Sequence, residues 1–163
     1  THLAHGSIRT KASWSSADRL NKIHDSLTEV IAAWHPDVAS VEQIFVAKSP
    51  QSAIKLGMAR GVAMQTCAAK RLVLIEISAK QVKKAVTGNG GADKYQVAAM
   101  VQKLLNVEPK GLDASDALAI AIAGINVGPN ILDITNKADS KTLQGTSSLQ
   151  RAIEVALSKE TRR

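Results

Sequence analysis

Three acids carry the most chemical meaning in this chain. Asp113 and Asp116 stand three apart in Asp113-Ala114-Ser115-Asp116, and the run that follows, Ala117 to Ala123, is apolar all round. Residues three apart share a helix face, so both carboxylates project together. At a helix start the positive end of the dipole stabilises them, and a wholly apolar continuation marks a buried helix. Two neighbouring carboxylates repel each other unless a positive charge lies between them, a need that a divalent cation meets. The plainer reading is helix capping, for which Asp is a common choice. Glu42 is the third acid. It follows the apolar stretch Val38-Ala39-Ser40-Val41, near the carboxyl end of an expected parallel strand, where α/β folds gather their ligand sites. A Glu there is costly to bury unless it is paired or coordinated; otherwise it emerges into solvent as the strand ends. Together the three acids offer hard oxygen ligands suited to Mg²⁺ or Mn²⁺ rather than zinc.

The elements that must hold these acids follow from periodicity and punctuation. Leu3 to Arg9 reads as a short strand. Ser15 and Ser16 cap a helix with apolar positions at Leu20, Ile23, Leu27, Val30, Ile31 and Trp34, and His35-Pro36 stops it, because a residue before proline is pushed out of helical geometry. Val38 to Val46 is a second strand. Ser49-Pro50 opens a helix to about Ala68, with proline in its first turn. Leu72 to Ile77, nearly continuous in apolar residues, suits a buried parallel strand. Short and longer helices are expected at Ala79 to Val86 and Ala92 to Leu105, separated by the loop Thr87-Gly88-Asn89-Gly90-Gly91, and a last helix runs from Asp113 to about Val127. Strands alternating with helices predict an α/β fold. Residues 1–133 are expected to form one domain and 134–163 a basic, loosely attached tail.

Composition narrows the class of partner. Aromatic residues make up only 2% of the 163, so the core must be built from Ala, Val, Ile and Leu. No apolar run approaches the ~18 residues of a membrane span. The lone Cys67 has no partner for an intramolecular disulfide and no Cys/His neighbour at zinc spacing, which points to a reducing, cytoplasmic setting. The net charge of +7 is concentrated between Lys48 and Lys94, where nine basic residues face two acids, Glu76 and Asp93. Such clustering favours a polyanionic partner, since phosphate contacts supply most non-specific affinity for DNA; a merely solvated basic surface is the alternative. Gly57 and Gly61, with Ala53, recur every four residues. Mid-helix glycine costs ~0.5–1 kcal/mol, so a close contact is expected there, with a dimer partner or with the sheet beneath.

Taken together, Ile8-Arg9-Thr10-Lys11, Val41-Glu42-Gln43-Ile44-Phe45-Val46-Ala47-Lys48, Lys55-Leu56-Gly57-Met58-Ala59-Arg60-Gly61-Val62, Gln81-Val82-Lys83-Lys84-Ala85-Val86 and Asp113-Ala114-Ser115-Asp116-Ala117-Leu118-Ala119 resemble the RuvC family of Holliday-junction resolvases, in order, from about Gly6 to Ala123. The resemblance implies a ribonuclease H-like mixed sheet flanked by helices, a homodimer, a branch-migration partner and paired nicks across a four-way DNA junction. It also implies that Glu42, Asp113 and Asp116 hold two divalent ions, ~4 Å apart in such sites. Lys83, Lys84 and Lys94 match basic positions beside the active site or along the DNA, Lys48 belongs to the same DNA-binding set, and Lys94 is the lysine expected at the scissile phosphate. Phe45 matches an aromatic residue near the junction centre, where a stacked base is worth ~1–3 kcal/mol; a core position is its plainer role.

One departure stands out. Members of this family begin with a strand ending in Gly-x-Asp-Pro-Gly whose Asp is a metal ligand, and nothing in this sequence matches it. In the family's strand order, 3-2-1-4-5, this chain is expected to supply strands three, four and five. Its first residue, Thr1, is not Met, so the functional protein is expected to be longer by about two strands and the chain as written to be inactive. Two other functions compete with the resolvase: a ribonuclease H-like hydrolase of RNA or RNA–DNA hybrids, and a non-catalytic DNA-binding protein.

Overall fold

A computed structural model describes residues 1–43 and 49–127 of the chain. Ser15 caps the first helix, α1 (Ser16–Trp34), its hydroxyl accepting from the Asp18 amide, and His35 ends it in the left-handed region at φ 45°. Strand β1 (Val38–Glu42) follows. Ser49 then caps α2 (Pro50–Ala69), with proline in the first turn where its missing N–H costs nothing. Strand β2 (Val73–Ile77) pairs with β1 in parallel, Val38 opposite Val73 and Glu42 opposite Ile77. Parallel strands need a long crossover, and α2 supplies it. Capping boxes at Ser78–Gln81 and Asp93–Gln96 start α3 (Ala79–Thr87) and α4 (Lys94–Leu105), and α5 (Leu112–Val127) completes the order.

The strand pair is covered on both sides. Helix α2 packs on β2, and α1 packs on α2; across the sheet α5 lies against both strands, with α3 and α4 packed on α5. Alternation along the strands sorts side chains between these layers. Ile75 and Ile77 join the core under α5, which also gathers Val82, Val86, Val97, Val101, Leu118 and Ala119. Ile77, fully buried, contributes about 1.5–3 kcal/mol by leaving water. Glu76 therefore faces the α2 side. On β1, Ser40 and Glu42 face α5: a Cβ built on Gly124 would lie 1.8 Å from the Ser40 Oγ. Only a glycine lets α5 cross β1 this closely.

One expectation is corrected. Leu3 to Arg9 is not a strand; no described strand pairs with it, and an isolated strand leaves its backbone polar groups without ladder partners. The described part of the sheet is a parallel pair flanked by helices. The second expected strand runs to Glu42, with Gln43 beyond its end; residues 44–46 of that expected strand lie outside the described set, as do 134–163. Gly57 and Gly61 meet nothing within 4 Å among the described residues, so the sheet beneath α2 is not what their missing side chains accommodate.

The α1–α2 pair is fastened by one buried polar contact. Thr66 is fully buried and donates its hydroxyl to the Val62 carbonyl at 2.8 Å. Its oxygen lies 2.9 Å from the His24 Nδ1. Because the hydroxyl proton is already committed, His24 must be the donor. Thr66→Val keeps the shape and strands that N–H, so it is expected to destabilise the fold by about 1 kcal/mol, measurable by chemical denaturation.

Candidate active site

Glu42 ends β1 on the α5 side of the sheet, and Asp116 sits one turn into α5. Both line one cavity of about 190 Å³, with Lys83 of α3 and Lys94 of α4 on its wall and Val82, Val97, Ala119 and Ile120 beneath. Four elements thus deliver two acids and two lysines to one place. The lysines are held by local structure. Lys94 is the first residue of α4, fixed by the Asp93 cap: one Asp93 oxygen accepts from the amides of Tyr95 at 2.8 Å and Gln96 at 3.0 Å, and the Gln96 side chain accepts from the Asp93 amide at 2.9 Å. The Lys94 Nζ also lies 5.1 Å from the Tyr95 ring centroid. Lys83 rides on α3, whose start the Ser78–Gln81 box secures.

The Asp116 carboxyl is perturbed by its surroundings. Burial pushes its pKa up, the charge of Asp113 pushes it further, and Lys94 opposes both. Asp113 therefore lies close enough to act on Asp116 without itself lining the cavity. Gly111, at φ 95°, turns the chain into α5 and sets Asp113 in its first turn. Lys84 is exposed on α3, away from the cavity wall, and Phe45 and Lys48 lie outside the described residues.

A hard divalent ion fits this donor set. Mg²⁺ keeps much of its water and is commonly held by one or two carboxylates plus substrate phosphate, which Glu42 and Asp116 match, with Asp113 adding negative potential. Among the described residues no three His, Cys, Asp or Glu side chains are gathered at metal-binding spacing. The expected meeting of Glu42, Asp113 and Asp116 is thus seen as a pair in the cavity and a neighbour beside it.

Sequence reading missed one arrangement entirely. Arg60 of α2 donates from Nε to the Glu42 carbonyl at 3.1 Å and pairs through its terminal nitrogen with the Glu76 carboxylate. The signal available was Glu76 itself, an acid inside Val73-Leu74-Ile75-Glu76-Ile77 that needed a counter-charge.

A parallel strand pair between helical layers, with acids and lysines meeting at a strand's carboxyl end, makes this an α/β protein, in keeping with the ribonuclease H-like class that the family resemblance implies. Residues 1–124 match the family model described as crossover junction endodeoxyribonuclease RuvC, and the chain belongs to that family. It is 48% identical over 127 residues to the enzyme of that name from Erythrobacter litoralis, covering 77% of this chain and 78% of the relative. The enzyme of Idiomarina loihiensis is 44% identical over 138 residues, covering 83% and 76%. A solved structure of Thermus thermophilus RuvC in complex with a Holliday junction substrate superposes with a TM-score of 0.69 at 29% identity, covering 72% of this chain and 73% of that one. Among the described residues no helix is long and apolar enough to cross a membrane.

Proposed function

We propose that the protein is a divalent-metal-dependent endonuclease that makes paired nicks in four-way DNA junctions, with Glu42, Asp113 and Asp116 as the acids that hold Mg²⁺, or Mn²⁺ as the alternative. The observation that carries this reading is the convergence of Glu42 and Asp116 with Lys83 and Lys94 in one cavity, in a member of a family named for junction cleavage. When bound, the metal would supply a nucleophilic water at neutral pH and positive charge for the leaving oxygen. The chain's own part is to orient and balance charge. The acids concentrate negative potential at the strand end, and Lys94 offsets it on the Asp116 side. Both lysines offer ammonium groups to phosphate, and the apolar floor excludes water.

The same reading takes the protein to be a homodimer, and α2 supports it: Ile54 and Met58 are exposed on its first half, and on the same face Gly57 and Gly61 meet nothing within 4 Å among the described residues; two copies would present two sites to two opposed strands. On the same reading the protein works in the cytoplasm beside a branch-migration complex, where its one cysteine, Cys67, stays reduced and buried.

The test is the full-length protein on a synthetic four-way junction and on an RNA–DNA hybrid, each with Mg²⁺ or with chelator. Mg²⁺-dependent symmetric nicks in the junction alone are expected. Cleavage of the hybrid instead would support the ribonuclease reading, and salt-sensitive junction binding without nicks the non-catalytic one. Lys94→Ala is expected to slow cutting by about 10²-fold, as loss of one charge-stabilising donor does, while junction affinity by gel shift changes by less than tenfold.

A further inference from the structure

We infer that Arg60, backed by Glu76, is the positioning residue that holds Glu42 in place, acting on its backbone from the face of the sheet opposite the cavity. This rests on the nuclease reading above.

The strand geometry carries the argument. The Gln43 amide donates to the Ile77 carbonyl at 2.9 Å, so the backbone groups of Gln43 point toward β2 and those of Glu42 point away from it. The Glu42 carbonyl therefore takes no part in the β1–β2 ladder, and the strand ends at that residue. The peptide that follows Glu42 is held toward β2 by the Gln43 amide, while its carbonyl side has no ladder partner among the described residues. Arg60 supplies that second hold: its Nε reaches the carbonyl, and its other arm is anchored on Glu76. Glu76 lies opposite Val41, one register step from Glu42, so a single planar guanidinium ties α2, the end of β1 and β2 together. The fork donates in two directions at a fixed angle, which an ammonium cannot reproduce. The Arg60 side chain is only 23% exposed, which leaves it little surface to offer DNA.

The contact is to the carbonyl and not to the carboxylate. Arg60 fixes where Glu42 stands without neutralising it, which a metal-holding acid requires. A shift of about 1 Å at a catalytic group is enough to cost on the order of 10²-fold in rate.

The test compares Arg60→Ala, Arg60→Lys and Glu76→Gln with wild type in the full-length protein. Measured are kcat and KM for junction nicking, the Mg²⁺ concentration giving half-maximal rate, Mn²⁺ binding by electron paramagnetic resonance, junction affinity in chelator, and melting temperature. Arg60→Ala is expected to lower kcat by about 10- to 100-fold, to weaken Mn²⁺ binding, and to leave KM and junction affinity within twofold. Arg60→Lys is expected to recover only part of the loss, and Glu76→Gln to sit between Arg60→Lys and wild type. A wild-type kcat in Arg60→Lys overturns the proposal even where Arg60→Ala fails to fold. So does a rise in KM at unchanged kcat, which would make Arg60 a DNA contact. Should wild-type protein make no Mg²⁺-dependent nicks, the nuclease reading fails instead, and Mn²⁺ binding unchanged in Arg60→Lys would still overturn this one.

Discussion

Asp116→Asn is expected to abolish junction cutting and at the same time to raise the melting temperature at neutral pH. The amide keeps the shape of the side chain and loses its charge. If Asp116 helps hold the metal, the lost charge stabilisation is worth several kcal/mol, so the rate should fall by about 10³-fold or more while junction binding in chelator is retained. The stability effect has the opposite sign. Burial and the charge of Asp113 raise the Asp116 pKa, with Lys94 opposing, so the folded state holds that proton more tightly than the unfolded state does. The ionised side chain is therefore a cost to the fold above its folded pKa, and the cost disappears as pH falls below the unfolded value. The melting advantage of Asp116→Asn should be present at pH 7 and shrink toward zero as pH drops through the carboxylate range. Scanning calorimetry across that range checks both sign and window. A variant that melts lower than wild type at pH 7 would show that Asp116 is paired rather than repelled. A variant that still cuts normally would remove Asp116 from the site.

Gly124→Ala is expected to be the most damaging glycine-to-alanine change among the described residues. A Cβ at that position would lie 1.8 Å from the Ser40 Oγ and 2.9 Å from the Ser40 Cβ, and neither distance is tolerable. The neighbour is not the far end of a flexible side chain but a short residue on a strand, so α5 must move. Overpacking of this kind costs about 1–3 kcal/mol, a drop of several degrees in melting temperature for a domain of this size. The displaced helix is the one that carries Asp113 and Asp116, and the strand it leaves carries Glu42, so cutting should fall by about tenfold or more. Ser40→Gly in the same chain removes both clashing atoms and should restore melting temperature and rate together, whereas Ser40→Ala leaves the Cβ clash and should restore little.

The outline of this architecture was legible in residues that act locally. Ser49-Pro50 and His35-Pro36 mark element ends through short-range hydrogen bonding and steric restriction, and the structure places ends there. The start of the fourth helix was misjudged by two residues because Asp93 with Gln96, a capping box, outcompetes Ala92 as the place to begin. Leu3 to Arg9 reads as a short strand, but a strand is completed by a neighbour, and the local sequence cannot show whether one is present. For the site, Glu42 and Asp116 could be picked out because an acid beside apolar residues is expensive to leave without purpose. Arg60 could not: its partners lie 16 and 18 residues away, and among nine basic residues in that stretch nothing local distinguishes it. Gly124 was equally silent, since what it accommodates is a serine more than eighty positions earlier.

The cavity floor and the Arg60–Glu76 pair occupy opposite sides of the strand pair. That separation makes the catalytic surface adaptable. Ala79 and Ile120, which line the cavity without belonging to the acids and lysines, can drift in size and polarity, retuning which DNA is cut, while the fastening behind Glu42 stays untouched. Libraries that diversify only Ala79 and Ile120 should accordingly return many folded variants with altered substrate preference, and libraries that diversify Arg60 and Glu76 should return few active ones.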